Sequence, residues 1–528
     1  MVVILGVAAW LRCWGLAFGL PHTLARPDEE VVFAIALRCF ERQFNPHFFD
    51  WPTLYMYVVG AGDILYFNIG RLAGWFPLEY DFLLSVARNH APVFLIARGV
   101  SATLGVATVW VTYLVGRRLF APSVALAGAA FLAVAPLHVR DSHFGLPDVA
   151  ATMLVVTAFY FVVCYAQSGR RKDAWLVGLF AGLAASTKYN AGLMLVPGLW
   201  VILRDVRGAD AARLRLALLC ALTALAAFIA ASPYVLLDWR GFLEGLRRIS
   251  AHLSAGHVTQ DSWAWRTHLT SSLWYGLGWP VLATGIVGLA TYVWRDRRAG
   301  PLFALFPLLY FALIGAGHTA FARYVIPVLP FLCLAAGFVV VDVAAAVTDR
   351  SARRFAVPVA IVCLGAVLAA PGLRSAVAMD RLLSRPDNRL VAAAWLRSTY
   401  PEGATLHQSG MAYGHVQMPA DPVAGDAPFR DVNFNETSGA FETAAGDETP
   451  APRLVVVQEH PLSYARIAPA LTQVLTRDYR LVESFHALDS EGVGQAFDLD
   501  DAFYVPLAGF GAVSRPGPNL AVYERVAR

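Results

Sequence analysis

The stretch "AWLVGLFAGLAASTKYNAGLMLVPGLWVIL" (174–203) consists of two apolar runs separated by the polar segment 187–190. Each run has about 14 residues and would be ~21 Å long as an α-helix, at ~1.5 Å per residue. The hydrocarbon core of a bilayer is ~30 Å thick, so neither run can cross it completely. We therefore expect the segment 187–190 to lie below the outer membrane surface, with Lys188 at the floor of a cavity.

The composition of the whole chain indicates a membrane protein. Its 528 residues are 57% hydrophobic and 15% charged, and the mean hydropathy is +0.52. Soluble proteins are roughly 45–50% apolar and ~25% charged. We predict an all-α polytopic membrane protein with about 11 transmembrane helices. The candidate spans are 2–20, 91–116, 119–137, 147–166, 174–187, 190–203, 214–235, 277–294, 301–317, 324–344 and 355–372.

The first apolar run lacks a basic leading region and a small-residue cleavage site, so we expect a retained span and not a signal peptide. The net charge of +4 is small for this length and gives no reason to expect a nucleic acid partner. The six cysteines show no C-x-x-C spacing, which favours buried apolar side chains over a metal or disulfide site.

Charge in the loops predicts the topology. Short arginine-rich segments occur at 117–118, 169–173, 204–215, 295–298 and 349–354. The positive-inside rule places them in the cytoplasm, so the loops between them, and everything after 372, face outward. The segment 52–70 is apolar enough to suggest a span, but a crossing there would move the basic loops outside. We interpret it as an interfacial or re-entrant helix.

Ionisable residues gather at the predicted outer ends of the spans, where they mark candidate functional sites. Carboxylates there can act as a general base, and Lys and Arg can bind phosphate. An outward cavity between apolar spans would admit a lipid-linked substrate whose charged head meets these cations. The clusters are Asp28-Glu29-Glu30, then Asp141, His143 and Asp148, then Lys188 and Asn190, and finally His318, Arg323 and Tyr324.

Structural roles are the alternative for most of these residues. The three acids could stabilise the start of a helix at 30–43. Asp141 and Asp148 could cap a turn around Gly145, and Arg323 could anchor a helix end by snorkelling. Lys188 is harder to explain in this way, because a cation between two short spans costs desolvation unless a counter-charge meets it.

The sequence resembles a known family at these positions. The matching features are Asp28-Glu29 in the first outer loop, "SHFGLPD" (142–148), "GLAASTKYNAG" (182–192) and "RYVIPVLPFLCLAAG" (323–337). In this order, they make residues 1–345 similar to the C-type integral-membrane glycosyltransferases of the dolichyl-phosphate-mannose protein mannosyltransferase superfamily. Bacterial members of that superfamily include the aminoarabinose transferases for lipid A.

The resemblance implies transfer of a sugar, with inversion, from a polyprenyl-phosphate donor to an acceptor on the extracytoplasmic face of the bacterial inner (plasma) membrane. It implies that an acid of the first outer loop is the base; we assign Asp28 to this role by position and Glu29 as its orienting partner. Glu30 extends this pair, which leaves open which acid is the base. The segments 27–44 and 52–70 would be juxtamembrane helices. The predicted residues for the donor phosphate and the substrate are Lys188, Tyr189, Arg323, Tyr324, Asp141, His143 and Asp148.

A nucleotide donor is not favoured by the sequence. No G-x-x-x-x-G-K-[ST] phosphate loop and no nucleotide-binding G-x-G-x-x-G after a strand is visible. We therefore expect the polyprenyl-phosphate sugar as donor, membrane lipids as surroundings, an acceptor that the sequence does not name, and no further cofactor. A divalent metal stays open.

Residues 379–528 have the composition of a soluble domain, which gives the predicted division into 1–378 and 379–528. We predict a helix at 387–400, strands at 405–410 and 453–460, a helix at 463–475 and a strand at 479–488. The stretch 419–452 reads as a long loop. This alternation of helices and strands predicts a small α/β domain. The predicted number of membrane crossings places this domain outside the cytoplasm.

Two other functions use the same residues. A transporter could employ the acids and Lys188 as an ion path, but transporters usually show repeated halves and helices broken near mid-membrane. We find no convincing internal repeat, and the polar residues collect at one face. A scaffold protein would not need a recessed lysine near acids.

Overall fold

The computed structural model describes residues 1–205, 209–258, 263–348, 353–419, 427–489 and 494–526, with the side chains of 252–253 and 353–355 left out. Contacts divide the chain into two units. Unit 1 comprises Met1–Trp14, Val31–Leu65 and Ile96–Val377, and unit 2 comprises Gly15–Glu30, Tyr66–Leu95 and Ala378–Arg528. The predicted basic loops at 204–215 and 349–354 lie partly outside the described residues.

The helices, numbered in chain order, begin with α1 Val2–Cys13, α2 Glu29–Phe40, α3 Leu54–Leu72, α4 Glu79–Arg88, α5 Ala91–Leu119, α6 Pro122–Ala133, α7 Pro136–Asp141, α8 Pro147–Ser168, α9 Arg171–Ala185 and α10 Leu195–Leu203. They continue with α11 Asp210–Ala231, α12 Tyr234–Leu237, α13 Trp239–Ala255, α14 Ala264–Thr267, α15 Trp274–Leu277, α16 Trp279–Arg295, α17 Ala299–Gly315, α18 Leu329–Val347, α19 Arg353–Leu383, α20 Asn388–Thr399 and α21 Pro469–Asp478. Short 3-10 segments occupy Tyr189–Met194, Ala322–Val328, Ala412–Gly414, Ser463–Ala465 and Phe510–Ala512, and a π-helical turn occupies His268–Leu273.

Each of the eleven predicted spans contains a helix, which confirms the predicted helical membrane fold. Within the described ranges, 5 helices are long and apolar enough to cross a membrane, or up to 6 if the bent pair Ala264–Leu277 and Trp279–Arg295 is one span. The first predicted span is too long, because α1 ends at Cys13 and not at residue 20. Gly15 and Gly19 follow with φ of 86° and 65°, a left-handed conformation that ends a helix.

Small residues allow close packing of α9 against α11 in unit 1. A Cβ added at Gly178 would lie 2.4 Å from the carbonyl oxygen of Cys220, and one at Gly182 would lie 2.2 Å from that of Ala224. Side chains larger than hydrogen would therefore force the two backbones apart. This contact fixes α9, whose end leads directly into the segment that carries Lys188.

The first outer loop is largely helical. The helices α2 and α3 correspond to the segments 27–44 and 52–70 that we predicted as juxtamembrane helices. The helix α3 is not among the helices that meet the length and hydropathy criteria for a membrane span. The helix α4 was not predicted; it is amphipathic and buries Phe82 and Val86.

A mixed sheet forms the core of the C-terminal part of unit 2. Its strands β2, β1, β6, β8 and β7 lie in that order, parallel for β2-β1-β6 and antiparallel for β6-β8-β7. A second sheet contains β3, β4 and β5. The strands are β1 Ala404–Gln408, β2 Phe429–Asp431, β3 Asn433–Asn435, β4 Ala440–Glu442, β5 Glu448–Thr449, β6 Leu454–Glu459, β7 Tyr479–Phe485 and β8 Asn519–Arg525.

Most of the predicted elements of this region are present. The helix α20 packs Ala392 and Leu396 against Leu406, Leu454 and Val522 of the sheet. The predicted helix at 463–475 begins later, with Pro469 in its first turn. The prediction of a structureless loop at 419–452 is wrong, since its described part contains β2 to β5.

The strands β2 to β5 form although the range 419–452 is rich in residues that favour turns, because packing between the strands stabilises them. The rings of Phe434 on β3 and Phe441 on β4 lie 5.1 Å apart, and the two residues pair across the strands. Such cross-strand aromatic pairs stabilise short sheets.

Candidate active site

A cavity of about 270 Å³ lies within unit 1. Its walls are mainly apolar and include Leu146, Leu246, Ile249, Leu313 and Ile314. Polar side chains enter it from separate segments of the chain. They belong to Asp50, Asp148, Lys188, Tyr189, Asn190, Arg323 and Tyr324.

Lys188 and Asp148 form an ion pair at this cavity, with the ammonium of Lys188 donating to Oδ1 of Asp148. The two side chains are 14% and 6% exposed, so the pair is largely shielded from water. Asp148 is the second residue of α8, directly after Pro147 in the first turn. A carboxylate at this position is also stabilised by the positive end of the helix.

The backbone around Lys188 is held by several hydrogen bonds. The helix α9 ends at Ala185, and the amide of Lys188 donates to the carbonyl oxygen of Ala184 at 2.9 Å. Ser186 Oγ lies 2.6 Å from Ser232 Oγ, and the carbonyl of Ser186 accepts from the amide of Leu54 at 3.1 Å. The chain then enters the 3-10 segment Tyr189–Met194. The polar interruption seen in the sequence is therefore a defined break between two helices.

Arg323 and Tyr324 enter the cavity from the 3-10 segment Ala322–Val328. The Nζ atom of Lys188 lies 4.7 Å from the centroid of the Tyr324 ring, within cation–π range. The guanidinium carbon of Arg323 lies 4.4 Å from the ring centroid of Phe321, and the residue is 7% exposed. Two cations are thus held at one cavity by aromatic rings.

Asp50 is a cavity residue that sequence reasoning missed. Its Oδ1 accepts hydrogen bonds from Nε and Nη2 of Arg248 on α13, at 2.9 and 2.8 Å. Tyr189, which follows Lys188 in the break between α9 and α10, donates its hydroxyl to the carbonyl of Phe49, the residue before Asp50, at 2.9 Å. The only sequence signal for Asp50 was an acid within "FFDWP" (48–52), a pattern too common to single out.

Asp141 and His143 are not among the residues that line this cavity. Asp141 Oδ2 lies 3.0 Å from Nε of Arg140, and both residues are buried. The two ring nitrogens of His143 lie 2.9 and 3.0 Å from the carbonyl oxygens of Val139 and Trp14. These contacts fix the turn before α8, which carries Asp148.

The predicted base and its neighbours belong to unit 2. Asp28 has a φ of 75°, an uncommon backbone conformation for a residue other than glycine. Glu29 is 2% exposed, and Glu29 and Glu30 are the first two residues of α2. Oε1 of Glu30 accepts a hydrogen bond of 3.0 Å from the hydroxyl of Tyr413.

Burial is the main influence on Glu30 and raises its pKa above the ordinary value. The hydrogen bond from Tyr413 and the charge of Arg26 act in the opposite direction, while the charge of Asp28 raises the pKa further. Burial, with a smaller contribution from the charge of Asp28, therefore raises the proton affinity of Glu30, the acid outside the matched pair Asp28-Glu29.

Taken by itself, unit 1 offers a mainly apolar cavity with two cations, Lys188 and Arg323, and two paired carboxylates, Asp50 and Asp148. Lys and Arg at such a position can neutralise a phosphate group, while the apolar walls suit a hydrocarbon chain. Within the described ranges, no group of three or more His, Cys, Asp or Glu side chains is arranged to hold a metal ion.

Comparisons with known proteins bear on both the sequence and the fold. Residues 90–234 match the sequence profile of the family described as dolichyl-phosphate-mannose-protein mannosyltransferase. No curated protein sequence matches the chain significantly. The matched range contains Asp148, Lys188 and Tyr189.

Two crystal structures share the fold over most of this chain. ArnT from Cupriavidus metallidurans, bound to undecaprenyl phosphate, matches with a TM-score of 0.54 and 16% identity, over 99% of this chain and 97% of that chain. The apo oligosaccharyltransferase from Archaeoglobus fulgidus matches with a TM-score of 0.51 and 13% identity, over 77% of this chain and 62% of that chain. At these identities the structural matches show the fold.

Proposed function

We propose that the chain is an integral-membrane glycosyltransferase of the dolichyl-phosphate-mannose protein mannosyltransferase superfamily, and that it transfers a sugar from a polyprenyl-phosphate donor to an acceptor outside the cytoplasm. One observation carries this proposal. Lys188, Arg323, Tyr324 and Asp148 converge on a single, mainly apolar cavity of unit 1. The site of action would be the outer face of the bacterial inner membrane.

The donor phosphate would bind at Lys188 and Arg323. Asp148 holds the ammonium of Lys188 in place before the donor arrives, so little side-chain entropy is lost on binding. The phosphate supplies a further anion for these cations, and the apolar walls receive the first isoprene units. The fold neighbour ArnT was crystallised with undecaprenyl phosphate, which supports a donor of this class.

The transfer step follows from the family resemblance. The acceptor oxygen attacks the anomeric carbon from the side opposite the phosphate, which inverts its configuration. The bond between the anomeric carbon and the phosphate oxygen breaks, and polyprenyl phosphate leaves. The proton of the acceptor hydroxyl passes to Asp28, with Glu29 as its orienting partner. A positive φ at Asp28 supports this assignment, since such strain concentrates at functional sites.

The transporter alternative has no support among the fold neighbours described above. The neighbour from Archaeoglobus fulgidus is an oligosaccharyltransferase by name, and the matched family profile describes a mannosyltransferase. The cluster of polar residues that a transporter would use is explained by the binding of a charged lipid head.

The test is a transfer assay with the purified full-length chain in nanodiscs. Undecaprenyl-phosphate sugars that carry a radiolabel are presented with an extract of envelope lipids, glycans and proteins as acceptors. We expect label to move to one acceptor fraction and undecaprenyl phosphate to be released, and Lys188→Ala to abolish or strongly reduce both. Absence of binding to every polyprenyl-phosphate species by the folded wild-type protein would overturn the proposal.

A further inference from the structure

The segment with the three acids is tied to the far end of the chain within unit 2. Arg26 Nη1 lies 2.6 Å from Oδ1 of Asp501, and the side chains are 0% and 1% exposed. The guanidinium carbon of Arg26 also lies 5.3 Å from the ring centroid of Phe503, whose ring is 5.8 Å from that of Phe18. This anchor lies two residues before Asp28.

A second anchor lies two residues after Asp28, where Glu30 accepts the hydrogen bond from Tyr413. Further contacts hold the residues that precede Arg26 in the chain. Nε2 of His22 lies 2.8 Å from the carbonyl of His415, and the amide and hydroxyl of Thr23 donate to Oε1 of Gln417 at 2.8 and 3.1 Å.

Asp28 is therefore fixed on both sides while its own backbone is strained. A residue other than glycine keeps a φ of 75° only when the surrounding structure determines it. A catalytic base must also be held to within a fraction of an ångström of its productive position. Both demands are met here by contacts from the C-terminal part of the chain.

We propose that residues 378–528 position the acid segment Asp28–Glu30 for the transfer step, with Tyr413 acting through Glu30 and Asp501 acting through Arg26. Both are positioning residues, since neither is assigned a contact with substrate. The inference rests on the proposed function for its effect on rate. It assigns to the C-terminal domain a role in the transfer step.

A merely structural role for these contacts makes a different prediction. In that case, removing the Tyr413 hydroxyl should lower stability as much as removing any comparable buried hydroxyl, and the transfer rate should follow the amount of folded protein. Positioning predicts a lower turnover per folded molecule with unchanged donor affinity, because the Lys188 cavity belongs to unit 1.

The experiment compares Tyr413→Phe with Tyr479→Phe in the full-length protein. Tyr479 is a matched control in the same unit, since its hydroxyl donates to the carbonyl of Pro452 at 2.7 Å, away from the acid segment. We expect Tyr413→Phe to lower kcat on the order of 10-fold, a modest loss for a displaced catalytic group. The donor Kd should stay constant, and Tyr479→Phe should change neither quantity.

Conservative replacement of Glu30 tests the same contact from the other side. Glu30→Gln retains an oxygen that accepts from Tyr413 and should keep most of the activity, while Glu30→Ala should resemble Tyr413→Phe. The double variant Glu30→Ala with Tyr413→Phe should be no slower than the slower single variant, because both changes remove one interaction. Asp501→Asn leaves a buried Arg26 and can unfold the protein, so the Tyr413 pair decides the test.

Amide hydrogen exchange over residues 22–30 gives a readout that does not depend on activity. We expect faster exchange there in Tyr413→Phe and wild-type exchange in Tyr479→Phe. If the wild-type protein transfers no sugar, the proposed function fails, while the exchange measurement still tests the anchoring. Wild-type kcat and wild-type exchange in a folded Tyr413→Phe protein would overturn the positioning role.

Discussion

The ammonium of Lys188 lies 4.7 Å from the centre of the Tyr324 ring while it is paired with Asp148. A carboxylate and an aromatic face therefore share one cation in a cavity with mainly apolar walls. Such a cation is fixed in direction before any ligand binds. This arrangement differs from a snorkelling lysine, whose ammonium reaches water.

Lys188→Ala should weaken binding of undecaprenyl phosphate. Loss of one charge-assisted contact costs about 1.5–3 kcal/mol, which is roughly 10- to 150-fold in affinity. Isothermal titration in detergent measures the change. Lys172→Ala is the matched control, since Lys172 lies exposed near the start of α9, the helix that precedes Lys188. Equal affinities in the folded variants would show that Lys188 is structural.

Asp28→Asn should fold and bind donor but transfer sugar at least ~10²-fold more slowly, the low end of general-base contributions. Asn suits the structure at this position, because it tolerates the left-handed conformation that Asp28 adopts. Single-turnover transfer measures the chemical step. Full activity would move the search for the base to Asp141 or Asp148, the other acids predicted at the outer face.

Reporter fusions test the orientation that charge predicts. A reporter after residue 172 should be cytoplasmic, and one after residue 400 should be extracytoplasmic, since the positive-inside rule places the arginine-rich loops inside. A phosphatase that is active only outside the cytoplasm, paired with a fluorescent protein that matures inside, reads both positions. Reporters on the same side of the membrane would exclude the predicted odd number of membrane crossings between residues 172 and 400.

The buried histidines of unit 2 should make the protein sensitive to acid. Burial lowers the pKa of His460 from 6.5 to about 3. The unfolded chain therefore binds a proton below pH 6.5 that the native state does not, and native stability is lost as the pH falls from 6.5 towards 3. His22 has the same shift, caused first by burial and then by Arg389.

His460→Asn should weaken this dependence. The amide of Leu462 donates to Nδ1 of His460 at 3.1 Å, and the side-chain oxygen of an asparagine can accept the same bond without titrating. Thermal unfolding between pH 7 and 4 should show a smaller loss than in wild type. His486→Asn, at an exposed position of the same unit, should keep the wild-type pH dependence.

The helical membrane fold could be read from the sequence because its signal is long and repeated. An apolar run of 20 residues has few alternatives, and each predicted span contains a helix. Helix ends were less predictable: α1 stops seven residues early at a conformation that two glycines allow. The short strands β2 to β5 were hidden because pairing across strands, and not local composition, stabilises them.

The candidate site was predictable in part for a similar reason. Lys188 and Asp148 stand out as charges beside apolar runs, and they meet in space. The pairing of Asp50 with Arg248 and of Glu30 with Tyr413 could not be read from the sequence. Each joins residues whose proximity arises from tertiary packing, for which the chain carries no local periodic signal.

The ion pair of Arg26 with Asp501 has a consequence for biosynthesis. The two residues are 475 positions apart in the chain. At ~5–20 residues per second, a ribosome needs roughly 24–95 s to add that length. Throughout this interval Asp501, the partner of Arg26, has not yet been added to the chain. A chain interrupted before residue 501 would thus contain the residues that line the Lys188 cavity but lack one anchor of its acid segment, and we expect it to bind lipid phosphate yet transfer sugar slowly.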